Sequence, residues 1–161
     1  MSGLPGCGLY RTGVALVGRE GAVGAGVLVY FHNHSQQGPP IVLLPVDNVH
    51  NKWVFAERGY LVSGEGAEAF LSAMVALPRE GFYAVASPVA LTEGQVLPVR
   101  SLVQVGYDRE GAPILFPASF HGNGMSFPTR GFKFTGLEVF KGLRDAGFDP
   151  PRGEAVRETL H

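Results

Sequence analysis

The chain has 161 residues with a formal net charge of −1, which suits one compact domain or two very small ones. The near-neutral balance, spread over both halves, excludes the basic stripe that phosphate neutralisation requires, so no nucleic-acid partner is expected. One cysteine, Cys7, excludes an internal disulfide framework, and no apolar run reaches the ~18 residues of a membrane helix, so no membrane partner is expected.

In chain order, Leu4-Pro5-Gly6-Cys7 has the form of a lipoprotein cleavage box. Only three residues precede it, with no apolar signal region, so no signal peptide is expected. A cytoplasmic location, or one inside an assembled particle, is the corresponding expectation. Leu9 to Val17 is extended and β-rich. Val27–Phe31 and Ile41–Leu44 are short β-branched and aromatic runs separated by a turn-rich stretch. Trp53–Phe55 and Tyr60–Val62 continue the strand pattern. A helix fits Glu65 to Leu77, with Phe70, Met74 and Leu77 on one stripe and Ser63 as its N-cap. Strand-like segments resume at Phe82–Val89, Leu97–Gly106 and Pro113–Phe116. A second helix fits Leu137 to Ala146, where Thr135 and Glu138 have capping-box spacing and Gly147 suits a left-handed cap. The segment after Pro150 is polar and reads as a loosely ordered tail.

The second half repeats features of the first. At a constant offset of 72, Asn51 meets Asn123, Phe55 meets Phe127, Arg58-Gly59 meets Arg130-Gly131, and Gly64 meets Gly136. Tyr60 meets Phe132, and upstream Gly38-Pro-Pro-Ile41 matches Gly111-Ala-Pro-Ile114. The expected fold is β-rich α+β: two tandem repeats of about 70 residues, each with four short strands and one helix. Residues 1–81 form the first, 82–150 the second packed on it, and 151–161 the tail. Each repeat fits a small open barrel of the SH3-like or OB-like kind. Units this small have marginal cores alone, so apolar strand faces are expected to bring them together.

Chemistry is sparse. His32 and His34 lie two apart, and alternate residues of a strand share a face. Gly26, His32 and His34 resemble the opening of the cupin pattern, but Gln37, Gly38 and Pro39 follow where that pattern wants a Glu. A metal site would need a third ligand from Asp47, His50 or His121, none recommended by spacing. The corresponding turn of the second repeat carries Gly106, Tyr107 and Asp108, so the turn itself does not require histidine. A polar hairpin loop is the expectation at 32–37; His32, His34 and His50 are the weaker metal alternative. A triad of Ser35, His50 and Asp47 lacks any nucleophile-elbow context. The glycines around Gly64 and Gly122 make no dinucleotide or phosphate loop, so no cofactor is expected. Cys7 has no His or basic residue close in sequence to activate it.

Arg58 and Arg130, one per repeat, with Trp53, Tyr60 and Phe132, are the candidate binding residues. Arginines that stack on Tyr60 or Phe132, or bond a carbonyl at the turn, would be the structural explanation of the pair.

Charged residues make up 17%, against about 25% in ordinary domains, while mean hydropathy is +0.13. So little charge on a small domain fits a Gly-rich β protein with a neutral polar surface or, the expectation taken here, surface covered by other subunits. The expected function is a non-catalytic structural or assembly subunit, docking through β surfaces into a homo- or hetero-oligomeric particle such as a virion. Protein partners or self-association are expected, through aromatics such as Phe31, Phe116 and Phe120. A peptide- or ligand-binding β-barrel module is the alternative, and a His-dependent metalloenzyme the second.

Overall fold

The computed structural model describes residues 4–33 and 38–147. They fall into two compact units: 4–33, 38–48, 53–79 and 109–111 in one, and 49–52, 80–108 and 112–147 in the other. The chain is β-rich, with one α-helix and many strands in several small sheets, none of them closed.

The first unit is built on β1 (Gly8–Arg11), β2 (Leu28–His32) and β3 (Ile41–Leu43). The two-stranded β4 (Pro45–Val49) and β5 (Lys52–Phe55) follow, then β6 (Tyr60–Leu61), helix α1 (Ala67–Ala73) and β7 (Val75–Ala76). Five strands form one antiparallel sheet in the order β6-β3-β2-β1-β7. β2 sits at its centre, so both of its edges are paired within the sheet, and its residues are buried or half-buried. The loop after β1 folds back through Thr12, which is 1% exposed. Its hydroxyl donates to the Gly24 carbonyl at 2.7 Å and accepts the Val27 N–H at 3.0 Å. That loop delivers Leu16 and Val23 to a core completed by Val29, Phe31, Val42, Val62 and Phe70. Tyr10 meets Phe31 edge-on with ring centres 5.8 Å apart, a favoured aromatic geometry.

The second unit contains β8 (Gly81–Val85), β9 (Val89–Ala90), β10 (Val96–Leu97), β11 (Leu102–Tyr107) and β12 (Pro113–Pro117). A two-stranded sheet of β13 (Ser119–His121) and β14 (Gly124–Ser126) comes next. It ends with β15 (Phe132–Lys133), a 3-10 turn over Glu138–Gly142, and β16 (Leu143–Asp145). The main antiparallel sheet runs β15-β12-β11-β8-β16. Val103, Val105, Leu115 and Phe116 are buried along its centre. Phe140 of the 3-10 turn packs against Tyr83 and Tyr107. Asp108 closes the β11–β12 turn, accepting the Ala112 N–H at 2.8 Å and pairing with Lys133.

The structure corrects several expectations. The first helix spans Ala67–Ala73, not Glu65 to Leu77. Gly66 is its N-cap in a left-handed conformation, with no side-chain cap bond, so Ser63 does not cap it. Met74 is extended and Val75–Ala76 pair with Tyr10 and Arg11, so ladder hydrogen bonds displace the last helical turn. No α-helix forms over Leu137 to Ala146 either. Its residues divide between the 3-10 turn and β16, which pairs with β8, and Leu137 caps the turn without side-chain help from Thr135. Gly147 is left-handed as expected, with φ 82°, but it follows a strand. Each main sheet holds five strands, not four, because the segment after the helical turn returns as a strand. Val27–Phe31 and Ile41–Leu44 supply interior strands, so these uncharged runs are paired within the sheet. Phe31 and Phe116 are 0% and 5% exposed and are core, leaving Phe120, at 71%, as the surface aromatic of the three. The tail at 151–161 lies outside the described residues.

Candidate functional site

Arg58 and Arg130 are both exposed and lie in bends just before β6 and β15. The cation over the Tyr60 ring is Arg19, 6.0 Å from its centre, not Arg58. Trp53, half-buried on β5, is covered by the Arg109 guanidinium at 5.0 Å. Arg109 also donates to the Pro45 carbonyl at 3.2 Å, and its own carbonyl accepts the Leu28 N–H. Trp53 and Tyr60 therefore already have cations of their own chain over their faces. Phe132 is half-buried on β15, opposite Leu115. What the Arg-Gly pairs do locally is set by their glycines. Gly59 abuts the Val42 carbonyl and Leu43, and Gly131 abuts the Leu115 carbonyl and Phe116, so each lets a strand-entry segment lie against its neighbour.

His32 ends β2 and is half-buried. Its Nδ1 lies 3.6 Å from Cys7 Sγ, a partner 25 positions away that sequence proximity does not reveal. The Cys7 thiol donates to Asn33 Oδ1 at 3.0 Å, the Asn33 N–H points at Sγ at 3.4 Å, and the Asn33 amide donates to the Pro5 carbonyl at 2.6 Å. This cluster ties the segment before β1 to the end of β2. His34 lies outside the described residues, as do Ser35 and the rest of the 34–37 loop. His50 is exposed at a turn with φ 52°. Among the described residues, no group of three or more His, Cys, Asp or Glu is placed to hold a metal ion.

One buried polar group that the sequence does not announce is Gln104, 4% exposed at the centre of β11. Within the second unit its carbonyl accepts from the Asn51 amide at 3.0 Å, and its own amide donates to the His50 carbonyl at 2.5 Å. Gln104 thus uses both halves of its amide on the 50–51 turn. Gly106, on the same face, lets the Asn51 carbonyl approach; a Cβ there would lie 2.9 Å from it.

The most informative surface is at the sheet edges. In the first unit the edge strands expose Leu61 (58%), Val75 (41%) and Ala76. In the second they expose Lys133, Arg144 and Asp145. Charge on an edge strand discourages pairing with another chain, because pairing would desolvate it. The first sheet has no such charge on either edge strand; the second has it on both. No helix among the described residues is long and apolar enough to cross a membrane. No protein-family model, curated protein or solved structure matches the chain.

Proposed function

We propose that this chain is a non-catalytic structural subunit, made of two copies of one small β unit, that assembles through uncharged β surfaces into a larger oligomer. The duplication is supported by register. Leu9 pairs with Tyr30 and Tyr30 with Leu43, as Phe82 pairs with Gln104 and Gln104 with Phe116. Val42 pairs with Tyr60 as Leu115 pairs with Phe132, and Tyr10 with Ala76 as Tyr83 with Asp145. In each unit a fifth strand returns beside the first after a helical turn. That order supports an open unit of the SH3-like kind.

The observation that carries the assembly reading is the edge asymmetry. At equivalent register positions, Leu61 stands where Lys133 stands, Val75 where Arg144 stands, and Ala76 where Asp145 stands. One copy of the unit is protected against pairing and the other is not. A partner seated on β6 or β7 would also account for the low overall charge. The reading as a binding module through Arg58, Arg130, Trp53 and Tyr60 has less support, since Arg109 and Arg19 occupy the two ring faces.

Sedimentation at micromolar concentration tests the assembly. The wild-type chain is expected to sediment well above its 17.2 kDa mass in both low and high salt, because the contact is apolar. The double variant L61K/V75K should sediment at a lower mass than the wild type, with unchanged circular dichroism. A wild-type monomer in both salts would overturn the proposal.

A further inference from the structure

We infer that the β13–β14 hairpin is a docking finger that seats head to tail on a second copy of this chain, against the face of β2 around Tyr30 and His32. The inference rests on the assembly reading and adds a second contact, on the face of the sheet and not at its edges. All six strand residues of this hairpin are exposed, and its two strands form a sheet of their own. Phe120, 71% exposed, pairs across the strands with Met125, 43% exposed. From Ser119 to Ser126 there is no Lys, Arg, Asp or Glu. A two-stranded hairpin on its own is marginally stable in water, and one that presents a Phe–Met pair with no charge around it is built to be covered.

The chain supplies a template for the occupant. The hairpin β4–β5 holds the same place after β3 that β13–β14 holds after β12, with Asn51 and Asn123 at their turns. Its tip, Val49–Lys52, is part of the second unit, where the turn amide is clasped by Gln104 and lies over Gly106. Within the second unit, a hairpin tip thus binds the central strand. By register, Tyr30 and His32 of β2 stand where Gln104 and Gly106 stand on β11. Gln104 and Gly106 are buried, whereas Tyr30 and His32 are only half-buried. The β4–β5 tip has its seat within the second unit; the exposed β13–β14 tip has the matching seat in the next chain. Tyr30 offers a hydroxyl to the Asn123 amide in place of the Gln104 amide, and its ring, near Phe55 at 5.7 Å, offers apolar surface to Phe120 and Met125. Such a contact joins unlike surfaces, so it propagates into a ring or filament instead of closing as a two-fold dimer.

Disulfide trapping tests the seat. In a C7S background, N123C and Y30C proteins are mixed and oxidised, with H32C as a second seat variant in case Y30C does not fold. A covalent dimer containing one chain of each kind is expected from the mixture, and little from N123C alone. Efficient cross-linking of N123C with itself would mean tip-to-tip pairing and overturn the inference, as would no mixed dimer from an assembled sample. Sedimentation separates this from the parent reading: F120S/M125S, folded by circular dichroism, should sediment at a lower mass than the wild type, because only the edge contact is left. If its mass is unchanged while that of L61K/V75K falls, hairpin docking is wrong and edge assembly stands. If the wild-type chain is itself a monomer, both fall.

Discussion

Replacing Gly131 with alanine probes the close packing of β15 onto β12. An added Cβ would lie 2.5 Å from Ile114 Cγ2, 2.6 Å from the Leu115 carbonyl oxygen and 2.9 Å from Phe116 Cδ1. Carbon atoms pack best at about 3.5–4.0 Å, so the neighbours would have to retreat by on the order of 1 Å. They cannot do so freely. Leu115 pairs with Phe132 on one side and Val105 on the other, and Phe116 is 5% exposed. Overpacking of this kind costs about 1–3 kcal/mol. The narrower backbone freedom of alanine in the unfolded chain returns about 0.4–1 kcal/mol. The net loss is about 1–2 kcal/mol, equivalent to a Tm lower by roughly 2–8 °C for a chain of this size. Gly59→Ala should behave alike, since its Cβ would meet the Val42 carbonyl and the Leu43 side chain. Gly136→Ala is the control, because nothing lies within 4 Å of its Cβ; its effect should stay within about 0.5 kcal/mol. Thermal and urea melts followed by circular dichroism read all three. A Gly131→Ala protein as stable as wild type, or a Gly136→Ala loss of equal size, would refute the packing argument.

Phe70→Ala should lose about 3–5 kcal/mol by urea melt, since Phe70 is 1% exposed and is the one buried side chain of α1 in the first unit's core. Asn51→Ala should cost about 1–3 kcal/mol, because it leaves the buried Gln104 carbonyl unpaired. Asn51→Gly loses the same bond but tolerates φ 63°, so the difference between the two melts isolates the turn strain. Burial, and then the nearby Tyr83 and Glu80, raise the Tyr107 phenol above its ordinary range. The folded chain therefore keeps this proton to higher pH than the unfolded chain does. The stability it contributes is complete below about pH 10 and is lost as pH rises beyond that. Tyr107→Phe should accordingly flatten the fall in urea midpoint between pH 9 and pH 11, and an unchanged fall would remove Tyr107 as its source.

The sequence by itself determined the β-rich class and where most strands run. Short apolar and β-branched runs such as "LVYF" and "PILF" favour strands over helices at that length. It also marked Gly59 and Gly131, because a close backbone approach leaves no room for a Cβ at either. Helix length was not legible in the same way: Val75–Ala76 and Leu143–Asp145 carry a helical pattern locally, yet each is needed to pair with the first strand of its sheet. Hydrogen bonds to a distant strand have no local signature. The same holds for the candidate surfaces. Gln104 reads as an ordinary strand polar residue until the 50–51 turn lies over it, and His32 gains Cys7 across 25 positions. Leu61 and Val75 became informative only once the sheet order put them at edges, opposite in role to Lys133 and Arg144. Which residues stand at an edge is a property of the closed set of pairings, and no window of the chain contains it.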